Sequence, residues 1–120
     1  DGTLRSAVMD IETTPLEPIR PGLGRRVIRT AALMTVVIEF TDGPWDKPEP
    51  MHSHPQEQTT YVAEGEMILL AGDSEPRRLT AGDVFAIPGN VPHSIQLLSR
   101  SARLVDSFTP VRRDFLSLQP

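Results

Sequence analysis

The chain has 120 residues, enough for one domain with a real hydrophobic core. It contains no cysteine, which removes disulfides, thiolate metal sites and any sign of an oxidising compartment. Its formal net charge is −4, with eleven arginines against the single Lys47, and that balance argues against a nucleic-acid partner. No apolar run approaches the roughly 18 residues of a membrane span. The opening DGTLRSAVMD lacks the basic-then-apolar pattern of a signal peptide and has no initiator Met, which leaves room for a removed leader. A soluble cytoplasmic protein is the expectation.

In chain order, residues 1–22 carry Pro15, Pro18 and Pro21 and read as an extended arm, either frayed or laid across a partner subunit. Residues 23–120 read as a single domain. RRVIRT (25–30), LMTVVIEF (33–40), TTYVAEGEMILLAG (59–72), DVFAIP (83–88), HSIQLL (93–98) and ARLVDSFT (102–109) are β-branched or aromatic runs of strand length. The connections contain DG, GDSEP, AGD and PGN, which are turn chemistries. Twelve prolines and eight glycines leave little room for long helices, so the fold class is all-β, a sandwich, jelly roll or small barrel. The tail VRRDFLSLQP is expected to make one short helical turn that lays Phe115 and Leu116 on the barrel. Trp45 reads as a rim residue or a lid over a cavity mouth.

Two of the three histidines stand in MHSHPQEQ (51–58). His52 and His54 are two apart, so on a strand both rings face one side, and Gln58 keeps that parity while Glu57 turns away. Pro55 is the residue that interrupts such a ladder. The third, His93, ends GDVFAIPGNVPH (82–93), a strand followed by a tight turn. Two strand-plus-turn segments about forty residues apart suit two antiparallel strands facing each other across a cavity. Spacing alone leaves surface or core histidines equally open.

These two segments resemble the paired motifs of the cupin family. The first motif, G-x5-H-x-H-x3/4-E-x6-G, is met by His52-Ser53-His54 and Gly65, with Gln58 in place of the usual carboxylate. The second, G-x5-P-x-G-x2-H-x3-N, is met by Gly82, Pro88 and His93, with Gly89 at the free position after the proline. Asp46 stands in place of the first glycine, Asn90 in place of the second motif's inner glycine, and Leu97 in place of the final Asn. The resemblance implies a cupin jelly-roll (double-stranded β-helix) barrel holding one divalent metal ion. Imidazole-rich ligation suits Zn, Ni, Fe, Mn or Co without choosing among them.

Within the cupins, HSHPQEQTTYVAEGEM (52–67) together with LVDSFTPVRRDFL (104–116) is similar to KdgF-type proteins, which convert unsaturated monouronates into linear 4-deoxy-5-keto acids. That likeness implies metal ligation by His52, His54, Gln58 and His93, with Glu57 as the alternative to Gln58. It implies catalytic roles for Asp106 and Arg112 and substrate contact for Phe108. The implied activity is a metal-dependent ring-opening isomerase acting on a small acidic sugar in a cytoplasmic homodimer. An oxygenase or lyase acting on a small carboxylate, and a cupin that binds without turnover, are the other two classes. Each residue also has a plainer role open to it. Asp106 suits a turn cap at Thr109-Pro110, Phe108 a core position, and Arg112 a surface pair with Asp114.

Overall fold

The structure, a computed structural model, describes residues 6–116. Among the described residues nine strands form: β1 Glu17–Arg20, β2 Leu23–Arg29, β3 Met34–Phe40, β4 Glu57–Glu64, β5 Glu66–Ala71, β6 Arg77–Thr80, β7 Val84–Ile87, β8 His93–Leu97 and β9 Ala102–Thr109. They pair throughout as antiparallel neighbours in two sheets, one ordered β1-β2-β3-β9-β4-β7 and the other β6-β5-β8. This is the all-β class expected from the short runs and turn residues, in the jelly-roll form that the cupin resemblance implies. Among the described residues no helix is long and apolar enough to cross a membrane.

Strand periodicity places the site. On β9 the buried residues are Ala102, Leu104, Asp106 and Phe108, alternating with more open neighbours. On β4 they are Gln58, Thr60 and Val62. The register pairs Gln58 with Phe108, Thr60 with Asp106 and Val62 with Leu104, so the two inward rows lie side by side. One apolar cluster, including Phe40, Val62, Met67, Leu97 and Leu104, fills one end of the interior. A second, of Met34, Val36, Phe108 and Val111, fills the other. Gln58, Thr60 and Asp106 are the polar step between them. Phe108 is 2% exposed, and truncating a phenylalanine so enclosed costs about 3–5 kcal/mol.

Four local expectations come out differently. The run 59–72 is two strands, broken at Gly65 where the chain leaves the large sheet for the small one. Gly65 takes φ +99°, and a Cβ there would lie 2.7 Å from that of Ala102. The arm is not wholly loose, because Glu17–Arg20 pairs with β2 as an edge strand; residues 1–5 lie outside the described residues. Trp45 is neither rim nor lid. It packs edge-on against Phe40 at 5.2 Å, joins the first cluster, and donates its indole N–H to Asp42. The first histidine segment is not a continuous strand, as described below. In the tail, a 3₁₀ turn at Arg113–Leu116 sets Phe115 and Leu116 against the second cluster, while residues 117–120 lie outside the described residues.

Candidate metal centre

His52 makes an isolated antiparallel bridge with His93, each backbone N–H donating to the other's carbonyl at 3.0 and 2.8 Å. Residues 53–56 then leave the ladder, and β4 starts only at Glu57. Strand parity therefore does not place His54; a docked turn does. The Asn90 N–H donates to the His54 carbonyl at 2.8 Å, and Asn90 adopts φ 65°, which its short polar side chain tolerates. Gly89 comes so close that a Cβ on it would sit 2.5 Å from the Pro55 carbonyl oxygen. The turn of the second motif thus packs on the loop of the first, and the three imidazoles converge as a result.

Ring centroids are 4.3 Å apart for His52 and His93, 5.0 Å for His54 and His93, and 6.0 Å for His52 and His54. One nitrogen from each ring lies within 4.8 Å of the other two. Backbone carbonyls set the tautomers. His93 Nδ1 donates to the Val91 carbonyl at 2.8 Å, and His54 Nδ1 to the Gln56 carbonyl at 3.1 Å. Because a carbonyl oxygen only accepts, the Nε2 lone pair of each ring is left for the interior.

The His93 Nε2 is buried without a partner. The His54 Nε2 stands 3.1 Å from Gln58 Oε1, so two lone-pair atoms face each other. Such a pair repels unless a cation joins them. Two ligands each about 2.1 Å from one ion stand no more than about 4.2 Å apart, and this pair falls within that reach. This donor set fits a divalent ion, and the three histidines could hold one. Glu57 is exposed on the opposite face of β4, so Gln58 is the fourth donor the geometry offers.

Burial lowers the pKa of His52, helped by the neighbouring charges of His93 and His54. Burial also lowers that of His54, helped by the Arg112 guanidinium and by His93. Both shifts favour the neutral ring, the state in which imidazole ligates.

A cavity of about 270 Å³ opens beside the cluster, lined by His52, Gln58, His93, Asp106, Phe108 and Arg112 among others. Asp106 is 5% exposed, and burial pushes its carboxyl up to about 6 despite a hydrogen bond from Thr60 and the nearby charge of Arg112. Arg112 pairs with Asp114 at 2.8 Å, the surface partner foreseen for it, yet its guanidinium also lies 4.0 Å from the Phe115 ring centroid and 5.4 Å from that of Phe108. Phe108 is both core and cavity wall, 5.5 Å from the His54 ring.

Two residues escaped the sequence reading. Thr60 bridges the site, accepting from Gln58 Nε2 at 2.9 Å and donating to Asp106 Oδ1 at 2.6 Å. Its inward parity with Gln58 was the available signal. Arg25 lines the same cavity from β2, sits 4.1 Å from the Phe115 ring centroid and is held by Glu17 at 3.0 Å. Nothing local marked it, since this wall of the cavity forms only when the C-terminal turn folds back onto β2 and sets Phe115 against Arg25.

Residues 39–108 match the Cupin domain family. The pectin degradation protein KdgF of Dickeya dadantii (strain 3937) is 32% identical over 106 residues, covering 88% of this chain and 94% of that protein. Among solved structures, an RmlC-like cupin from Shewanella frigidimarina NCIMB 400 superposes with a TM-score of 0.81 at 34% identity, covering 92% of this chain and 96% of the other. KdgF from Halomonas sp. also gives a TM-score of 0.81, at 27% identity, with coverages of 91% and 99%. The chain therefore belongs to the cupin family, and its motifs are those of the KdgF-type branch.

Proposed function

We propose that this cupin is a metal-dependent isomerase that opens the ring of a 4,5-unsaturated monouronate of the kind released from pectin or alginate. The observation that carries the reading is the placement of a buried carboxyl, Asp106, in the same small cavity as His52, Gln58 and His93. The relationship to KdgF proteins supports the substrate class. At about 270 Å³ the cavity is below the roughly 300–1,000 Å³ typical of drug-sized ligands, which suits one sugar ring and not an oligosaccharide.

His52, His54, Gln58 and His93 would hold the ion. Three neutral imidazoles and an amide leave its full charge uncancelled, so it would supply Lewis-acid stabilisation of a developing oxyanion. Arg112, with Arg25 lining the same cavity, takes the substrate carboxylate. Asp106 removes the proton of the anomeric hydroxyl. The bond from the anomeric carbon to the ring oxygen breaks, and its electron pair leaves on that oxygen as an enolate. Returning the proton to the far alkene carbon yields the linear keto aldehyde, so every atom of the substrate is retained. A carboxyl with a pKa near 6 suits both transfers.

The test follows the ultraviolet absorbance of an unsaturated monouronate. Loss of absorbance should be faster with metal-loaded protein than without it, and both His54→Ala and Asp106→Asn should abolish the difference. No acceleration with Zn, Ni, Co, Mn or Fe(II) would end the uronate reading and leave the metal reading standing. A cupin that only binds would keep its ligand affinity in Asp106→Asn and turn nothing over.

A further inference from the structure

Thr60 stands at an unspecified position of the first motif, between Gln58 and Gly65, yet it is 1% exposed and touches both halves of the chemistry. A hydroxyl has one proton to give, and Asp106 Oδ1 takes it at 2.6 Å. The remaining contact, with Gln58 Nε2 at 2.9 Å, is then a donation from the amide to Thr60. With Nε2 so engaged, Oε1 is the end of the carboxamide left facing His54 Nε2.

The orientation matters because the two ends of a carboxamide are nearly the same size. Turned over, Gln58 would point its NH₂ at the His54 lone pair and donate to it. The histidine would be sealed in a hydrogen bond, and an oxygen donor would be lost from the centre. Packing does not select between the two orientations; the hydrogen-bond chain does. We propose that Thr60 is a positioning residue that fixes the direction of the Gln58 carboxamide by tethering it to Asp106, and so keeps an oxygen aimed at the three-imidazole cluster. The inference rests on reading His52, His54, Gln58 and His93 as the ligands of an ion.

Valine matches threonine in shape, and Val62 already occupies the next inward position of β4. Thr60→Val therefore removes the hydroxyl while filling the space. The experiment titrates Ni²⁺ or Zn²⁺ calorimetrically into wild type, Thr60→Val and Thr60→Ser, and repeats the valine change in a Gln58→Glu background. Thr60→Val should weaken ion affinity about 10- to 100-fold, the usual effect of losing a residue that orients a ligand. Thr60→Ser, which keeps the hydroxyl, should bind as wild type does.

A carboxylate has oxygen at both ends and no orientation to choose. In the Gln58→Glu background the valine change should therefore alter affinity by no more than about twofold, the additive limit. Equal affinity of wild type and Thr60→Val, or the same penalty in both backgrounds, overturns the inference alone. Failure of the wild type to take up either ion overturns the ligand reading and this inference with it. Should Thr60→Val not fold, side-chain amide exchange of Gln58 in the wild type decides the matter. Slowed exchange is expected of a buried, bonded NH₂, and free exchange overturns the proposal.

Discussion

Asp106 shows how one residue's surroundings set its chemistry. Inward parity on β9 puts it between Leu104 and Phe108, where ionisation costs desolvation that the Thr60 hydroxyl and Arg112 offset only in part. Two consequences can be measured. If Asp106 acts first as a base, kcat/KM should fall as pH drops through about 6, and Asp106→Asn should remove that limb while lowering the rate about 10²- to 10⁴-fold. Stability moves the other way. The folded state holds its proton up to about pH 6 and the unfolded chain only to about 3.8, so stability is lost as pH rises through that window. A shift of this size amounts to about 3 kcal/mol. Urea denaturation at pH 7.5 should find Asp106→Asn more stable than wild type, with the difference shrinking below pH 4. A variant that is less stable at both pH values would show that burial of the charge is not what Asp106 contends with. The role proposed for Asp106 was legible through its resemblance and its spacing from Phe108. Thr60 was not, because its partner lies 46 residues away and is met only through the β4–β9 register.

At the scale of elements, the centre depends on contact between two loops more than on either strand. The sequence offered parity as the reason His52 and His54 share a face. The structure replaces it with a bridge at His52, a loop over residues 53–56 and the turn at Gly89-Asn90 that supports them. Pro55 carried the warning, since it breaks a ladder, but the turn that packs on it is more than thirty residues away. Gly89→Ala tests this arrangement. A methyl group there would meet the Pro55 carbonyl oxygen at 2.5 Å and push the loop that carries His54 away from His93. Far-UV circular dichroism should remain that of the wild type, because no strand is touched, while ion affinity falls at least about tenfold, as for other losses of ligand support. Unchanged affinity would mean that the loop is held by other contacts. The same dependence on distant contact explains Trp45. From a long polar loop it looked free, but its backbone N–H bonds to Leu97 and its ring packs on Phe40.

For the whole molecule, an ion held as proposed would link the two sheets, because His93 opens β8 of the small sheet and Gln58 lies in β4 of the large one. Binding to the folded state alone contributes about 2.7 kcal/mol at one hundred times Kd, or roughly 10 °C in Tm for a chain of this size. A thermal scan with and without Ni²⁺ or Zn²⁺ should show that rise in wild type and none in His93→Ala. Assembly is a separate question. The large sheet ends in β1 and β7, where Ile19 and Val84 are 40% and 65% exposed, and open edges of that kind invite pairing. Sedimentation equilibrium is expected to give the mass of a dimer; a monomer at all concentrations would leave the edges to solvent.

The chain by itself determined which residues alternate, where turns fall and which side chains have the chemistry to ligate, because strand period, turn residues and donor types are local properties. Glycine, asparagine and proline at 89, 90 and 55 could be read as turn or breaker from one another's neighbours alone. Only the tertiary structure decided which donors meet, that Thr60 ties Gln58 to Asp106, and that Arg25 and Arg112 both line the cavity and pack on the Phe115 ring. The reason is physical. Register and sheet order arise from the packing of the entire interior, and no stretch of sequence carries its partner's position within itself.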